Sequence, residues 1–417
     1  MTRLSDLVGG DPVTITTAAG APLVPATHAG RLSIRRGRET VDAAPAASTL
    51  TFLADAAAWL STAGRRPEIA DPVNVDLTPA ALAYFDVPAD DARRFGGRIS
   101  DVQYVPTVSA RRPAGVYQIT ATGPLSLLGN LPGVTVDQPE ANDAQRVDAV
   151  LDAASAGGDL FAYVPGYDAA MYLVPVAADQ LAGQKADAQL ADLCKSTGGD
   201  VWEFRAGHLR YLSRTYRQWT EPEAEPYPTL PASAVSRATE WRLTRGGLLN
   251  AFAVDYGLAA GYAAGSFARR DDGSIAKYGT YDGGTLRSLL AYDYDAEWLC
   301  TELVSTSSEP HWSVPDLIVD LTRTVSPALA GQLLALDVNS LVGLDGWPAY
   351  VPLTAGRLFV EGWTETIHGA GWELRFNVSD FGITGNATTW LDVPPGLTWL
   401  DVTPSTRSWF GARAWTP

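Results

Sequence analysis

Asp293, Asp295 and Glu297 alternate along AYDYDAEW, the stretch of this sequence where carboxylate chemistry could be concentrated. Paired acids can cleave glycosidic bonds or hold calcium. A calcium loop needs further oxygen ligands and a turn glycine, and this segment has neither. Asp293 and Asp295 instead precede a helical pattern, where negative charge suits the N-terminal dipole. Asp271-Asp272-Gly273 reads first as a turn. The four histidines, His28, His208, His311 and His368, form no HExxH pair and are not spaced for zinc. His208 and His368 fall at predicted hairpin turns, where a solvated polar side chain is the ordinary outcome. There is no GxSxG elbow, no Walker A loop and no GxGxxG after a strand. The residues therefore predict no catalytic site, no metal and no cofactor.

Cys194 and Cys300, the two cysteines, each sit in an apolar helical pattern and read as small buried side chains. Two cysteines exclude a disulfide framework, and no CxxC knuckle exists. The net charge of −16 opposes binding to nucleic acid or to an anionic membrane. An acidic wall would, however, let a polyanion pass along a channel without sticking, and acidity also serves solubility. The local basic cluster Arg31, Arg35, Arg36 and Arg38 reads as a subunit contact or a solvated loop ahead of a phosphate site. Gly257, Gly261 and Gly265 recur every fourth residue, a helix-packing motif within a bilayer. Asp255 and Arg269-Arg270 bracket too short an apolar span for that, so the segment reads as a loop. No apolar run is long enough to span a bilayer, and MTRLSDLVGGDPV lacks a signal-peptide core. The expectation is a protein kept in the cell that makes it until lysis.

The elements that would position any site are mostly strands. Abundant glycine (39), proline (28), tryptophan (13) and tyrosine (16) favour a turn-rich β protein over a bundle. Residues 1–128 offer strands at 13–17, 31–35, 48–53, 73–77, 97–104 and 115–122, with short helices at 55–63 and 79–85. Residues 129–226 change character. Asn142 or Asp143 can cap a helix with Val147, Val150, Leu151 and Ala154 on one face. A second helix carries Ala186, Leu190, Leu193 and Cys194 and stops at Gly198-Gly199. Two short strands follow around Arg205-Ala206-Gly207, and the acidic, proline-rich 220–234 reads as a linker.

Residues 227–383 return to strands, at 239–243, 251–256, 315–320, 333–338 and 351–353, with one helix over 295–304. They close on FVEGWTETIHGAGWELRFNVSD. There Trp372, Leu374, Phe376 and Val378 alternate with Glu373, Arg375, Asn377 and Ser379, the period of a half-buried hairpin strand. Trp363 and Trp372 read as core. Residues 384–417 repeat TWLDVPP and TWLDVTP nine residues apart, too few copies for a solenoid. Trp390, Trp399, Trp409 and Trp415 are the candidate partner-binding residues, each an anchor for a groove on a neighbour.

Several phrases in order resemble a known family. RRFGGRISDV, GVYQITATGPLSLLGN, LCKSTGGDVWEFRAGHLRYLSR, NAFAVDYG, SIAKYG and the closing EGW…GW…FNVS hairpin are similar to hub-type minor tail proteins of long-tailed actinobacterial phages. The likeness spans roughly residues 30–380. It implies a β-rich α+β fold, with two barrel-like β domains (1–128 and 227–383) and a small α+β lobe (129–226), while the tryptophan-rich repeat beyond it reads as an extended arm (384–417). It also implies a non-enzymatic baseplate hub at the virion tail tip, assembled in the host cytoplasm. Three copies would adapt a six-fold tube to a three-fold tip. Implied partners are two further copies, the distal tail or tube proteins, the tape measure protein and other tip proteins, with DNA only in passage through the lumen and no membrane insertion. The alternative, suggested by the tryptophans and acidic pairs, is a glycan-binding or glycan-cleaving tail protein at the host cell wall.

Overall fold

A computed structural model describes residues 4, 6, 11–17, 22–23, 31–38, 44–109, 112–136, 138–155, 162–163, 174–178, 183–214, 227–243, 246–310, 312–347, 357–369 and 371–380. The chain is a β-rich α+β protein. Its first part holds strands β1 (Val13–Thr17), β2 (Pro22–Leu23), β3 (Leu32–Gly37), β4 (Ala46–Asp55), β5 (Pro72–Leu77), β6 (Arg93–Ser109) and β7 (Arg112–Thr122). The middle holds β8 (Ala141–Asn142), β9 (Ala162–Tyr163), β10 (Pro175–Val176), β11 (Asp200–Glu203) and β12 (His208–Leu212). The last part holds β13 (Thr229–Pro231), β14 (Arg242–Leu243), β15 (Ala251–Tyr256), β16 (Gly265–Arg270) and β17 (Asp282–Arg287). It ends with β18 (Trp312–Asp320), β19 (Leu341–Asp345), β20 (Arg357–His368) and β21 (Gly371–Asp380).

One curled sheet of 13 strands dominates, in the order β14-β18-β21-β20-β3-β4-β7-β6-β5-β1-β2, with β19 and β13 branching from β20. The β20–β3 pair joins the two ends of the sequence: Gly362 lies opposite Gly37 and Ile367 opposite Leu32, antiparallel. The join is close because it is glycine against glycine, and a side chain at either residue would run into the facing backbone. A single apolar core follows, from Val13 and Ile15 through Phe52, Phe85 and Phe95 to Trp363, Trp372 and Phe376. The hairpin alternation holds, since Trp372, Leu374, Phe376 and Val378 are all buried. Trp363 and Trp372 are core residues, 1% and 0% exposed.

Helices cap this sheet where the sequence supplies start signals. Asp55 caps Ala56–Ala63 through the Ala58 amide, and Thr78 with Pro79 at the first turn starts Pro79–Phe85. The expected strand at 333–338 is instead the end of helix Pro327–Ala335. Ser326 accepts from the Leu329 amide and Pro327 sits at the first turn, so helix chemistry overrides the apolar run. Gly331 lets this helix lie directly on the Phe85 carbonyl. Strand 239–243 shortens to Arg242–Leu243. The expected strand at 351–353 lies outside the described residues.

The middle of the chain has its own core, built by Val147, Val150 and Leu151 of helix Asp143–Ser155 and Leu190 and Leu193 of helix Ala186–Thr197. Asn142 is the cap: its Oδ1 accepts from the Gln145 amide at 2.8 Å, and Gln145 Oε1 accepts from the Asn142 amide at 3.2 Å. A third core forms under the β16-β15-β17 sheet, where Val254 meets Leu299 and Cys300 of helix Asp293–Ser307. That unit touches the middle of the chain through Val176 opposite Leu290.

Glu365 of β20 also forms a buried ion pair with β6, Arg94 Nη2 to Glu365 Oε2 at 2.7 Å, with the side chains 1% and 0% exposed. Removing one partner of such a pair strands the other charge in the core. Glu365→Ala is expected to lower unfolding free energy by about 3–5 kcal/mol, whereas the apolar double variant Arg94→Met/Glu365→Leu recovers most of it. Urea unfolding followed by circular dichroism decides this: a double variant no more stable than the single one would refute the assignment.

Candidate functional site: a buried charge lock

Charged side chains converge where the hairpin, the first strands and the middle lobe meet. In β3, Leu32 and Ile34 face the core, and the period of two carries Arg36 inward as well, with Arg38 just beyond the strand also buried. In β20, Trp363 and Ile367 face the core with Glu365 between them. Cross-strand register places Glu365 opposite Leu374. The same periodicity that buries apolar residues therefore buries the charges.

Two locks result. In the first, Glu365 accepts from Arg94 Nε and Nη2 and from Trp372 Nε1 at 3.0 Å. Arg94 Nη1 and Arg205 Nη1 both donate to the Leu334 carbonyl near the C-terminus of helix Pro327–Ala335, where positive charge is favoured. In the second, Arg38 Nε donates to Glu361 Oε2 at 2.7 Å, and its Nη1 donates to Asp200 Oδ2 at 3.0 Å. Ser379 also donates to Glu361. Burial works to lower the Arg38 guanidinium, but Glu361 and Asp200 outweigh it and hold it above its ordinary value. Its plane stands over the Trp202 ring at 4.7 Å.

Arg36 is the cation between the two locks. It donates to the backbone carbonyls of Glu203 (3.3 Å), Arg94 (3.1 Å) and Arg205 (3.4 Å) and lies over Trp363 at 5.5 Å. Burial pulls it below the usual arginine value. Nearby, Glu203 of the lobe reaches into the first strands. It accepts from the Ser48 hydroxyl and amide and from the Leu125 amide at 3.2 Å. Burial pushes its carboxyl up to about 7, against the pull of Arg36 and the two amides. Gly123 makes room for it, because a Cβ there would collide with the Glu203 carboxylate.

Arg205 extends the junction, its amide donating to Asp337 Oδ2 at 3.0 Å and its Nη2 to Asp91. Gly207 then lies against the Gly96 backbone, so the FGG of RRFGGR is a seat for the lobe turn. A cavity of about 150 Å³ beside it is lined by Gly96, Gly97, Arg98, Thr122, Gly123 and Gly207 among others.

The expectation that the arginine cluster is solvated or a subunit contact is thus half overturned: Arg31 and Arg35 are exposed, while Arg36 and Arg38 are internal because strand alternation turns them inward. The acids of AYDYDAEW do not converge. Asp293 and Glu297 are exposed, whereas Asp295 is buried against Arg214 at 2.7 Å, with that guanidinium over Trp298 at 4.0 Å. Asp271 caps helix Asp272–Tyr278, so the expected turn begins a helix. His208 is half-buried and stacked on Phe204 at 5.5 Å; burial lowers its pKa. His368 is exposed at the end of β20. Cys300 is buried and Cys194 partly so, both as free thiols. Among the described residues no group of three or more potential ligands could hold a metal, and no helix is long and apolar enough to cross a membrane. Trp390, Trp399, Trp409 and Trp415 lie outside the described residues. The locks went unread in the sequence, although charges placed in step with Leu32-Ile34 and between Trp363 and Ile367 carry the signal. Chemically, the arrangement holds three chain segments in one geometry.

Because Glu203 binds its proton more tightly folded than unfolded, its contribution is full below about pH 4.5 and lost as pH rises through about 7. Asp143, raised to about 6 by burial, has the same sign. Glu203→Gln is expected to gain up to ~3 kcal/mol relative to wild type on going from acid to above neutral pH. Thermal unfolding across that range checks it, and parallel profiles for the two proteins would refute it.

No protein-family model matches the sequence, and no curated protein is significantly similar to it. Solved structures do share the fold. The 43 kDa tail protein of prophage MuSo2 from Shewanella oneidensis superimposes with a TM-score of 0.55 at 13% identity, covering 89% of this chain and 99% of that one. The tail protein from Neisseria meningitidis MC58 gives 0.57 at 10% identity, covering 89% and 97%. The prophage tail protein gp18 from Listeria monocytogenes EGD-e gives 0.50 at 10% identity, covering 87% and 94%. Over most of its length, this chain has the fold of phage tail proteins.

Proposed function

We propose that the chain is a structural phage tail protein acting as the tail-tip hub of a siphophage, a homotrimer whose channel passes DNA. The observation that carries this reading is the fold shared with three tail proteins along nearly their whole lengths. A sheet that joins distant parts of the chain and is held by buried ion pairs suits a part that works by shape. The net charge of −16 suits a wall past which a polyanion must slide. The role is non-catalytic, with two further copies and neighbouring tube, tape measure and tip proteins as partners. The proposed parts are 1–128 and 227–383 as ring-building β regions, 129–226 as the lobe, and 384–417 as an outward arm bearing Trp390, Trp399, Trp409 and Trp415. The glycan reading has less support, because Trp363 and Trp372 are core and the acids do not converge.

Electron microscopy of intact virions tests the proposal. The expected density is three copies around the tail axis at the tip; six copies along the tube, or a peripheral position only, would overturn it.

A further inference from the structure

The segment GLAAGYAAG, which the sequence leaves without a role, brings Tyr262 to an exposed carboxylate. Tyr262 donates to Glu140 Oε2 at 2.7 Å, and Tyr292 donates to Glu140 Oε1 at 2.9 Å. The two rings meet at 72° with centroids 6.4 Å apart, and Tyr294 stacks on Tyr292 at 5.6 Å. Tyr292 and Tyr294 remain 38% and 49% exposed. Three separate stretches thus build an aromatic corner with an acid at its base. Elsewhere the chain sets its own cations over rings, with Arg36 over Trp363, Arg38 over Trp202 and Arg214 over Trp298. No described cation lies over Tyr262 or Tyr292.

We propose that Tyr262, Tyr292 and Glu140, flanked by Tyr294, form a docking corner for a basic side chain, an arginine or lysine, presented by a partner protein. A cation in the corner can lie within about 6 Å of both ring centroids, over the face of one ring and close to the Glu140 carboxylate. The phenol hydrogen bonds to Glu140 favour its ionised form, which keeps an anion beside the rings. The strongly acidic chain adds a long-range field drawing a basic partner and repelling an acidic one. A neutral sugar could use the ring faces and donate hydroxyls to Glu140, but it would gain no net attraction from the acidic field. The proposal stands apart from the hub reading, since it needs only the isolated chain.

The test uses the full chain carrying tyrosines labelled with carbon-13 on the ring, observed by NMR. The titrants are a Gly/Ser peptide with one central arginine, the same peptide with citrulline as the uncharged isostere, and a neutral cell-wall oligosaccharide. The arginine peptide is expected to shift the Tyr262 and Tyr292 signals saturably, leave those of the distant Tyr104 in place, and bind at least several-fold more tightly than the citrulline peptide. Glu140→Gln, which keeps the side-chain shape, is expected to weaken the arginine peptide several-fold without lowering Tm. Tyr292→Leu is expected to abolish the shift of the remaining Tyr262 signal. Equal binding of arginine and citrulline, no saturable shift, or a response confined to the oligosaccharide would each overturn the proposal.

Discussion

The Arg94–Glu365 pair is the constraint on which the rest of the structure depends. Its partners stand far apart in sequence, and both are almost wholly excluded from solvent. A charge so placed is costly unless matched, so the pair admits only the arrangement in which β6, β20 and helix Pro327–Ala335 meet. Backbone pairing alone leaves more freedom, since strands can slip by two residues and keep their buried face. The pair removes that freedom: Glu365 must reach Arg94 while also accepting from the Trp372 indole, which fixes the hairpin register.

A second layer of specificity comes from atoms that are missing. Gly37 and Gly362 let β3 and β20 approach, Gly96 and Gly207 let the lobe turn sit on the first strands, and Gly123 admits Glu203. Each close approach brings polar backbone into the interior, where it needs partners. Beside the Gly96–Gly207 contact Arg36 supplies them, donating to the carbonyls of Glu203, Arg94 and Arg205. Glycines and arginines are therefore two halves of one device. The first bring the segments together, and the second satisfy what the contact buries.

Much of the secondary structure was legible in the sequence, for reasons that can be named. The Trp372-to-Val378 alternation, the capped helix after Asn142 and the Gly198 stop are local signals, and local physics decided them. The 333–338 run has the composition of a strand, and only the Ser326-Pro327 start seven residues upstream marks it as the end of a helix. The locks were invisible for another reason. Period-two reading treats a charge as a mark of the solvent face, yet Arg36 and Glu365 sit in step with core residues. Glu365 meets its opposite charge only where β20 comes against Arg94 of β6, and Arg36 its carbonyl partners only where the middle of the chain arrives; no window on the sequence contains these segments together.

The two kinds of junction differ in strength, and that difference orders the molecule. The β20–β3 join combines a continuous backbone ladder with the 2.7 Å Arg38–Glu361 pair, and the 2.7 Å Arg94–Glu365 pair ties β20 to β6 beside it. The lobe is held by turn contacts, by Arg205 and Asp200 pairs that are partly open to water, and by Glu203, whose buried carboxyl opposes ionisation near neutral pH. Water screens the first of these attractions, and burial sets Glu203 against its own charge. Opening at the lobe junction is therefore expected to cost less than opening the sheet.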